Sequence, residues 1–243
     1  MKEKLYTIPV NDAFHADCEC PVCSMYHELQ TASIDYVMGP SYMEDDVRAE
    51  TDKRGFCQKH IKMMYKNQNR LGLTLMLSTH MDYTTKKIET LAKAGMPKKS
   101  SFFKKSSEGS SAMGDFIQKM ESSCFVCERI AATFDRYIAT IFHMYKNEPD
   151  FAQLLASSKG FCLSHYGMLY DAAPSYLKGD KLESFITTLN KVYLENMNRV
   201  REDLEWFRDK FDYRNADAPW KNSKDALPRS IIKTKSVLPD ELP

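Results

Sequence analysis

Hydrophobic residues recur at helical spacing along most of the chain. After Cys23, the residues Met25, Tyr26, Leu29, Ile34 and Val37 follow a period of about 3.6. In "CERIAATFDRYIATIFHMYKN", Ile130, Phe134, Ile138, Ile141 and Phe142 form one stripe. Lys181 to Phe211 is amphipathic throughout and holds neither glycine nor proline, which predicts one long helix. Arg70 to about Leu91 predicts its counterpart in the first half. Pro40, Pro149 and Pro174 mark breaks between helices. No segment alternates apolar and polar residues as a half-buried strand would. The expected fold is all-α: two helical modules packed side by side.

Composition places the module boundaries. Residues 95–114 read "GMPKKSSFFKKSSEGSSAMG", with six serines, four lysines and three glycines, poor material for a core. They are expected to form a flexible linker between a first module, 1–94, and a second, 115–211. The remaining 212–243 carries four prolines and cannot be one long helix. Trp220, Ile231 and Ile232 predict that this tail docks on the body.

The two halves repeat a motif. The first has "CPVC" and later "GFCQKH"; the second has "CFVC" and later "GFCLSH". Cys20 and Cys57 stand 37 positions apart, Cys124 and Cys162 38. Agreement this close across four ligand-type residues indicates an internal duplication.

The repeated residues suit a metal. Two cysteines at i and i+3 on a helix start can aim both sulfurs at one point, and a Cys and a His at i and i+3 can do the same from a second helix. Together they form a tetrahedral Cys₃His set. Read half by half, the sets are Cys20, Cys23, Cys57, His60 and Cys124, Cys127, Cys162, His165. A helix of about 15 residues from Cys23, a turn near "MGPS" and a shorter return helix would bring Cys57 back to Cys20. Gly55 and Gly160 would allow the tight entry into the next helix. The cofactor expected is Zn²⁺, two per chain. An iron–sulfur cluster is the alternative, since such clusters usually take four thiolates but accept histidine. A dithiol redox pair needs a βαβ context that this chain lacks.

Cys18 is the odd thiol of seven, with His15 upstream; the second copy has Ser122 and Lys119 at those places. Cys18 is expected to be unligated and exposed, and to make the first site the more labile. His27 is a candidate supporting group beside the first Cys pair. His80 and His143 read as packed or surface histidines. No glycine-rich phosphate loop, G-x-S-x-G, H-E-x-x-H or acid pair of defined geometry is present, so no catalytic residue is singled out.

Charge and length limit the rest. Thirty-four basic and 33 acidic residues leave +1, which gives no reason to expect nucleic acid or an anionic membrane as partner. The longest apolar run, "LGLTLML", is far short of the ~20 residues of a membrane helix. The first residues lack the apolar core of a signal peptide, so a cytoplasmic address is expected, where thiols stay reduced.

The double motif, together with "NRLGLTLML" and the ending "FDYRNADAPWKNSKDALPRSI", resembles an uncharacterised family from clostridia and related anaerobic bacteria, filed as a domain of unknown function. Some of its members are labelled ABC-transporter substrate-binding protein. This chain shows neither a signal peptide nor a lipid-attachment cysteine to support that label. The resemblance implies the duplication and the tail, and no activity. The expected function is a zinc-binding helical interaction or scaffold module with a protein partner. The rival is an enzyme or metal-handling protein with one labile or open site near Cys18.

Overall fold

The computed structural model describes residues 4–94 and 111–239. Among these the fold is all-α, with eleven helices, two single 3₁₀ turns and no strand. The helices are α1 (Lys4–His15), α2 (Pro21–Met38), α3 (Asp45–Arg54), α4 (Gln58–Lys66), α5 (Arg70–Lys93), α6 (Ala112–Ser122), α7 (Phe125–Asn147), α8 (Pro149–Ser157), α9 (Leu163–Tyr176), α10 (Asp180–Asp209) and α11 (Ala226–Lys235). The two long helices expected from the pattern are α5 and α10. Residues 95–110 of the expected linker lie outside the described residues. Its end does not stay a linker: Ser111 caps α6, its hydroxyl accepting from the Gly114 amide at 3.1 Å. Pro174 sits in the last turn of α9 rather than after it.

The helices gather into two compact units. One comprises Met1–Glu28 and Thr133–Pro243, the other Leu29–Ala132. The division cuts across the halves 1–94 and 115–211, since its boundaries fall inside α2 and α7.

In the first unit, α10 is the central helix and carries α9, α8 and α11. Its inward stripe is Phe185, Leu189, Val192 and Val200, all buried. Phe185 meets Phe142 at 5.0 Å and Tyr145 at 4.9 Å between ring centroids. Phe14 of α1 packs edge-on against Phe151 of α8 at 5.0 Å. The tail docks, as its sequence predicts: Ile232 is buried and Trp220 lies against Phe207 at 5.9 Å. The loop before α11 is gathered by Lys210, whose ammonium donates to the carbonyls of Asn215, Ala216 and Ala218 at 2.6–2.8 Å.

In the second unit, α3 packs on α5; α3 buries Val47 and Thr51, and α5 buries Leu73 and Met76. Asn69 caps α5 and ties it to α2. Its side chain accepts from the Gly72 amide at 2.9 Å and donates to the Met38 carbonyl at 2.7 Å.

Candidate metal centres

Each of the four motifs begins a helix. Cys20, Cys57, Cys124 and Cys162 stand immediately before α2, α4, α7 and α9, and the second residue of each motif lies in the first turn. The backbone of Cys57 and Cys162 is extended, with φ/ψ of −71°/164° and −75°/165°. Sulfurs placed there face the unpaired amides of a helix N-terminus, which favours thiolate. The amides of Cys23 and His165 donate to Cys20 Sγ and Cys162 Sγ at 3.4 Å.

Two glycines set the approach to the Cys-x-x-His motifs. Gly55 and Gly160 have φ of +61° and +79°, a region L-residues rarely adopt. A Cβ on Gly55 would fall 2.8 Å from the His80 ring. That ring is itself fixed, its Nδ1 bonded to the Asp52 carbonyl at 2.8 Å. His80 therefore shapes the turn into Cys57 and is no ligand.

The eight cysteines and histidines singled out from the sequence meet in two groups of four. One is Cys20, Cys23, Cys162 and His165, in the first unit; the other is Cys57, His60, Cys124 and Cys127, in the second. The half-by-half pairing expected from the sequence is therefore incorrect: each Cys-x-x-C meets the Cys-x-x-His of the other copy. Helix length is the reason. The 18 residues of α2 rise ~27 Å, whereas the 10 of α3 return only ~15 Å. The 23 residues of α7 rise ~35 Å and the nine of α8 ~14 Å. The short helix cannot retrace the long one, so neither half closes a site by itself.

The spacing is that of ligands around one ion. In the first group Nδ1 of His165 lies 3.5, 3.3 and 3.2 Å from the sulfurs of Cys20, Cys23 and Cys162. Cys23 Sγ and Cys162 Sγ are 3.6 Å apart. In the second, Nδ1 of His60 lies 3.3, 3.3 and 3.4 Å from Cys57, Cys124 and Cys127, and Cys57 Sγ is 3.8 Å from Cys127 Sγ. Bonds of about 2.3 Å to sulfur and 2.0–2.1 Å to nitrogen give tetrahedral edges of about 3.5–3.8 Å. All the thiols are free, with sulfur separations far beyond a disulfide bond of about 2.05 Å.

Without an ion, these groups are electrostatically costly. Burial, with a neighbouring thiolate, pushes Cys20 and Cys127 up to about 12, and the hydrogen bonds that the Cys23 thiol donates to Cys162 and Cys20 push Cys23 up as well. Cys162 is driven down, as the thiolate that accepts from Cys20 and Cys23. Burial and the adjacent Lys59 bring His60 down to about 4, so its imidazole is neutral at pH 7, the form that ligates. A divalent cation would let all three thiols of a group ionise together.

The loops that carry each group are tied to one another, by different means. In the second unit the tie is direct. The Phe125 amide donates to the Gly55 carbonyl at 3.0 Å, and the Ser123 hydroxyl to the Arg54 carbonyl at 2.6 Å. In the first unit, Glu19 and Lys159 occupy the places of Ser123 and Arg54, and a third element joins them. The ammonium of Lys233, on α11, donates to the Glu19 carbonyl at 2.7 Å and the Lys159 carbonyl at 2.5 Å. Lys233 is buried beside the Glu19 carboxylate at 3.3 Å, which Arg199 also holds at 2.6 Å. Just beyond α11, the Ser236 hydroxyl donates to Cys162 Sγ at 3.0 Å. Sequence reasoning found the docking of this tail but not Lys233, Ser236 or Glu19 as parts of the site. Lys233 follows the docked pair Ile231–Ile232, yet nothing local marks it as facing a cysteine loop.

The two groups differ in access. All four residues of the first are buried; in the second Cys57 and Cys127 are half-buried. Cys18 joins neither group and is not exposed as expected. It is half-buried, its thiol 3.7 Å from the Ala13 carbonyl, and burial raises its pKa. His15 bonds to the Asn11 carbonyl at 2.9 Å. His27 and His143 also stand outside both groups.

No described helix is long and apolar enough to cross a membrane. No curated protein and no solved structure matches the chain. A family profile does match, over residues 1–241, and the chain belongs to that family, DUF6062, a family of unknown function.

Proposed function

We propose that the chain is a cytoplasmic zinc protein holding two structural Cys₃His zincs, one in each compact unit, and that it serves as an interaction or scaffold module. The observation that carries this reading is the arrangement of six thiols and two imidazoles in two groups at tetrahedral spacing. Zinc suits a mixed sulfur and nitrogen set of this size. Four protein ligands close the coordination sphere and leave no position for a substrate, which is the pattern of structural rather than catalytic zinc. Two helix N-termini per group offset the net −1 of three thiolates around Zn²⁺. Reduced thiols suit the cytoplasm.

A second reading rests on the half-buried Cys57 and Cys127: a metal- or redox-handling protein in which the second unit's site is labile. An iron–sulfur cluster is the alternative occupant of either group. Elemental analysis with native mass spectrometry tests the proposal. Two zincs per chain in a colourless protein support it. Iron with broad visible absorbance replaces zinc by a cluster, and a folded chain free of metal ends it.

A further inference from the structure

The end of α10 and the loop behind it carry five aromatic residues of the first unit: Trp206, Phe207, Phe211, Tyr213 and Trp220. The rings adjoin. Phe207 meets Phe211 at 5.5 Å and Trp220 at 5.9 Å between ring centroids. The Trp206 indole donates to the carbonyl of Pro219, the residue before Trp220, at 3.0 Å. Yet the cluster faces outward. Phe211 is 76% exposed and Tyr213 87%, more than any other large apolar side chain among the described residues, and Trp220 is 37% exposed. Single exposed apolar residues are ordinary, but a contiguous aromatic patch marks a contact face.

The face is also rigid. Lys210 draws the loop together through three carbonyls and lies over the Trp220 ring at 5.2 Å, and Lys221 lies over Trp206 at 4.5 Å. A surface ordered in advance gives up little entropy when it is covered.

Size and charge select what covers it. Phe, Tyr and Trp bury roughly 150–250 Å² each, so at their exposures Phe211, Tyr213 and Trp220 offer about 300–500 Å². A homodimer of standard size takes about 800 Å² from each copy, about 65% of it apolar, and so needs an apolar centre of about 500 Å². With the half-buried Trp206 and Phe207 the cluster supplies that area. From Glu205 to Lys224 the unburied charges are four carboxylates and four cations. Arg208 pairs with Asp209 at 2.8 Å and Arg214 with Asp212 at 2.6 Å along this edge. An anionic lipid surface or a nucleic acid calls for an excess of cations. A rim of balanced sign suits a two-fold contact, in which each copy offers the other both a cation and a carboxylate. We propose that this aromatic face is the interface of a two-fold symmetric dimer, covered by a second copy of this chain with Phe211 and Tyr213 at the centre. The metal centres contribute nothing to this proposal.

The test is sedimentation velocity of the full-length, metal-loaded protein in reducing buffer over a range of concentrations. A monomer–dimer equilibrium is expected. Trp206 and Trp220 are the chain's only tryptophans, so their emission should move to shorter wavelength as the dimer forms. Phe211→Ser combined with Tyr213→Ser changes two exposed side chains, and this variant should stay monomeric at the wild-type melting temperature. Tyr213→Ala alone should weaken dimerisation about tenfold or more. Vesicles of phosphatidylcholine with phosphatidylserine should capture no protein. A monomer at every concentration, a dimer that forms without moving the tryptophan emission or persists in the double variant, or capture of the monomer by vesicles overturns the proposal. Metal content measured on the same samples keeps this outcome separate from the fate of the zinc sites.

Discussion

Cys23 Sγ and Cys162 Sγ lie 3.6 Å apart although 139 positions of chain separate them. The same exchange joins Cys57 to Cys127 at 3.8 Å. Each copy of the repeat therefore lends its Cys pair to one centre and its Cys-x-x-His to the other. An ion at either centre would close a long loop, 64 positions from His60 to Cys124 and 139 from Cys23 to Cys162, so loss of the ion should be felt by a whole unit and not only locally.

Metal removal should therefore unfold rather than merely inactivate. Structural zinc contributes on the order of 10 kcal/mol to folding, and each kcal/mol moves the melting point of a chain this size by about 2–4 °C. Cys162→Ser is expected to lower it by at least ~10 °C in differential scanning calorimetry. A variant that has lost one metal but melts with the wild type would show that centre to be an accessory.

The centre in the second unit should lose its metal first. Its Cys57 and Cys127 are half-buried, whereas all four ligands of the first centre are buried. Under a chelator, with alkylation of the released thiols, peptides carrying Cys57 and Cys127 are expected to be modified before those carrying Cys20 and Cys162. This reverses the order expected from Cys18 alone, since Cys18 stands outside both groups. Simultaneous labelling would refute the asymmetry.

Lys233 and Ser236 should protect the first centre. Lys233→Met leaves the Glu19 and Lys159 carbonyls untied and Glu19 with Arg199 alone. Breaking such a buried charge network costs about 3 kcal/mol, or roughly 6–12 °C. Ser236→Ala removes a donor to a thiolate, worth about 1.5–3 kcal/mol. Both changes should speed chelator-driven loss from the first centre and leave the second unaltered. Equal acceleration at the two centres would assign the tail a general role in stability only.

Gly55→Ala should destabilise the second unit by about 1–3 kcal/mol, because it imposes a Cβ at φ +61° against the His80 ring. Pairing it with His80→Ala removes the clash but not the backbone strain. A thermal-melt series over the two single variants and the double separates the two contributions. Gly55→Ala at wild-type stability would show that the turn does not constrain Cys57.

The ligands were legible in the sequence because each is a local pattern. A Cys or His three residues into a helix is set by the turn of that helix, and Gly55 and Gly160 announce the backbone they adopt. The spans of α5 and α10 follow from uninterrupted periodicity. The pairing was not legible, because it depends on the lengths of α2 against α3 and α7 against α8. An error of a few residues in each was enough to bring Cys57 back to Cys20 on paper. Lys233 was hidden for another reason: its partners are main-chain carbonyls, which every residue has. Cys18 reads as exposed because it is the odd thiol, repelled by a site already at −1, yet the end of α1 half-covers it.

Counting metals on two double variants by native mass spectrometry tests the crosswise pairing most directly. Cys20→Ser with Cys162→Ser damages one centre twice, and one metal per chain should remain. Cys20→Ser with Cys57→Ser damages both centres once, and none should remain. The opposite result, no metal in the first variant and one in the second, would mean that each half builds its own site and would contradict the crosswise arrangement.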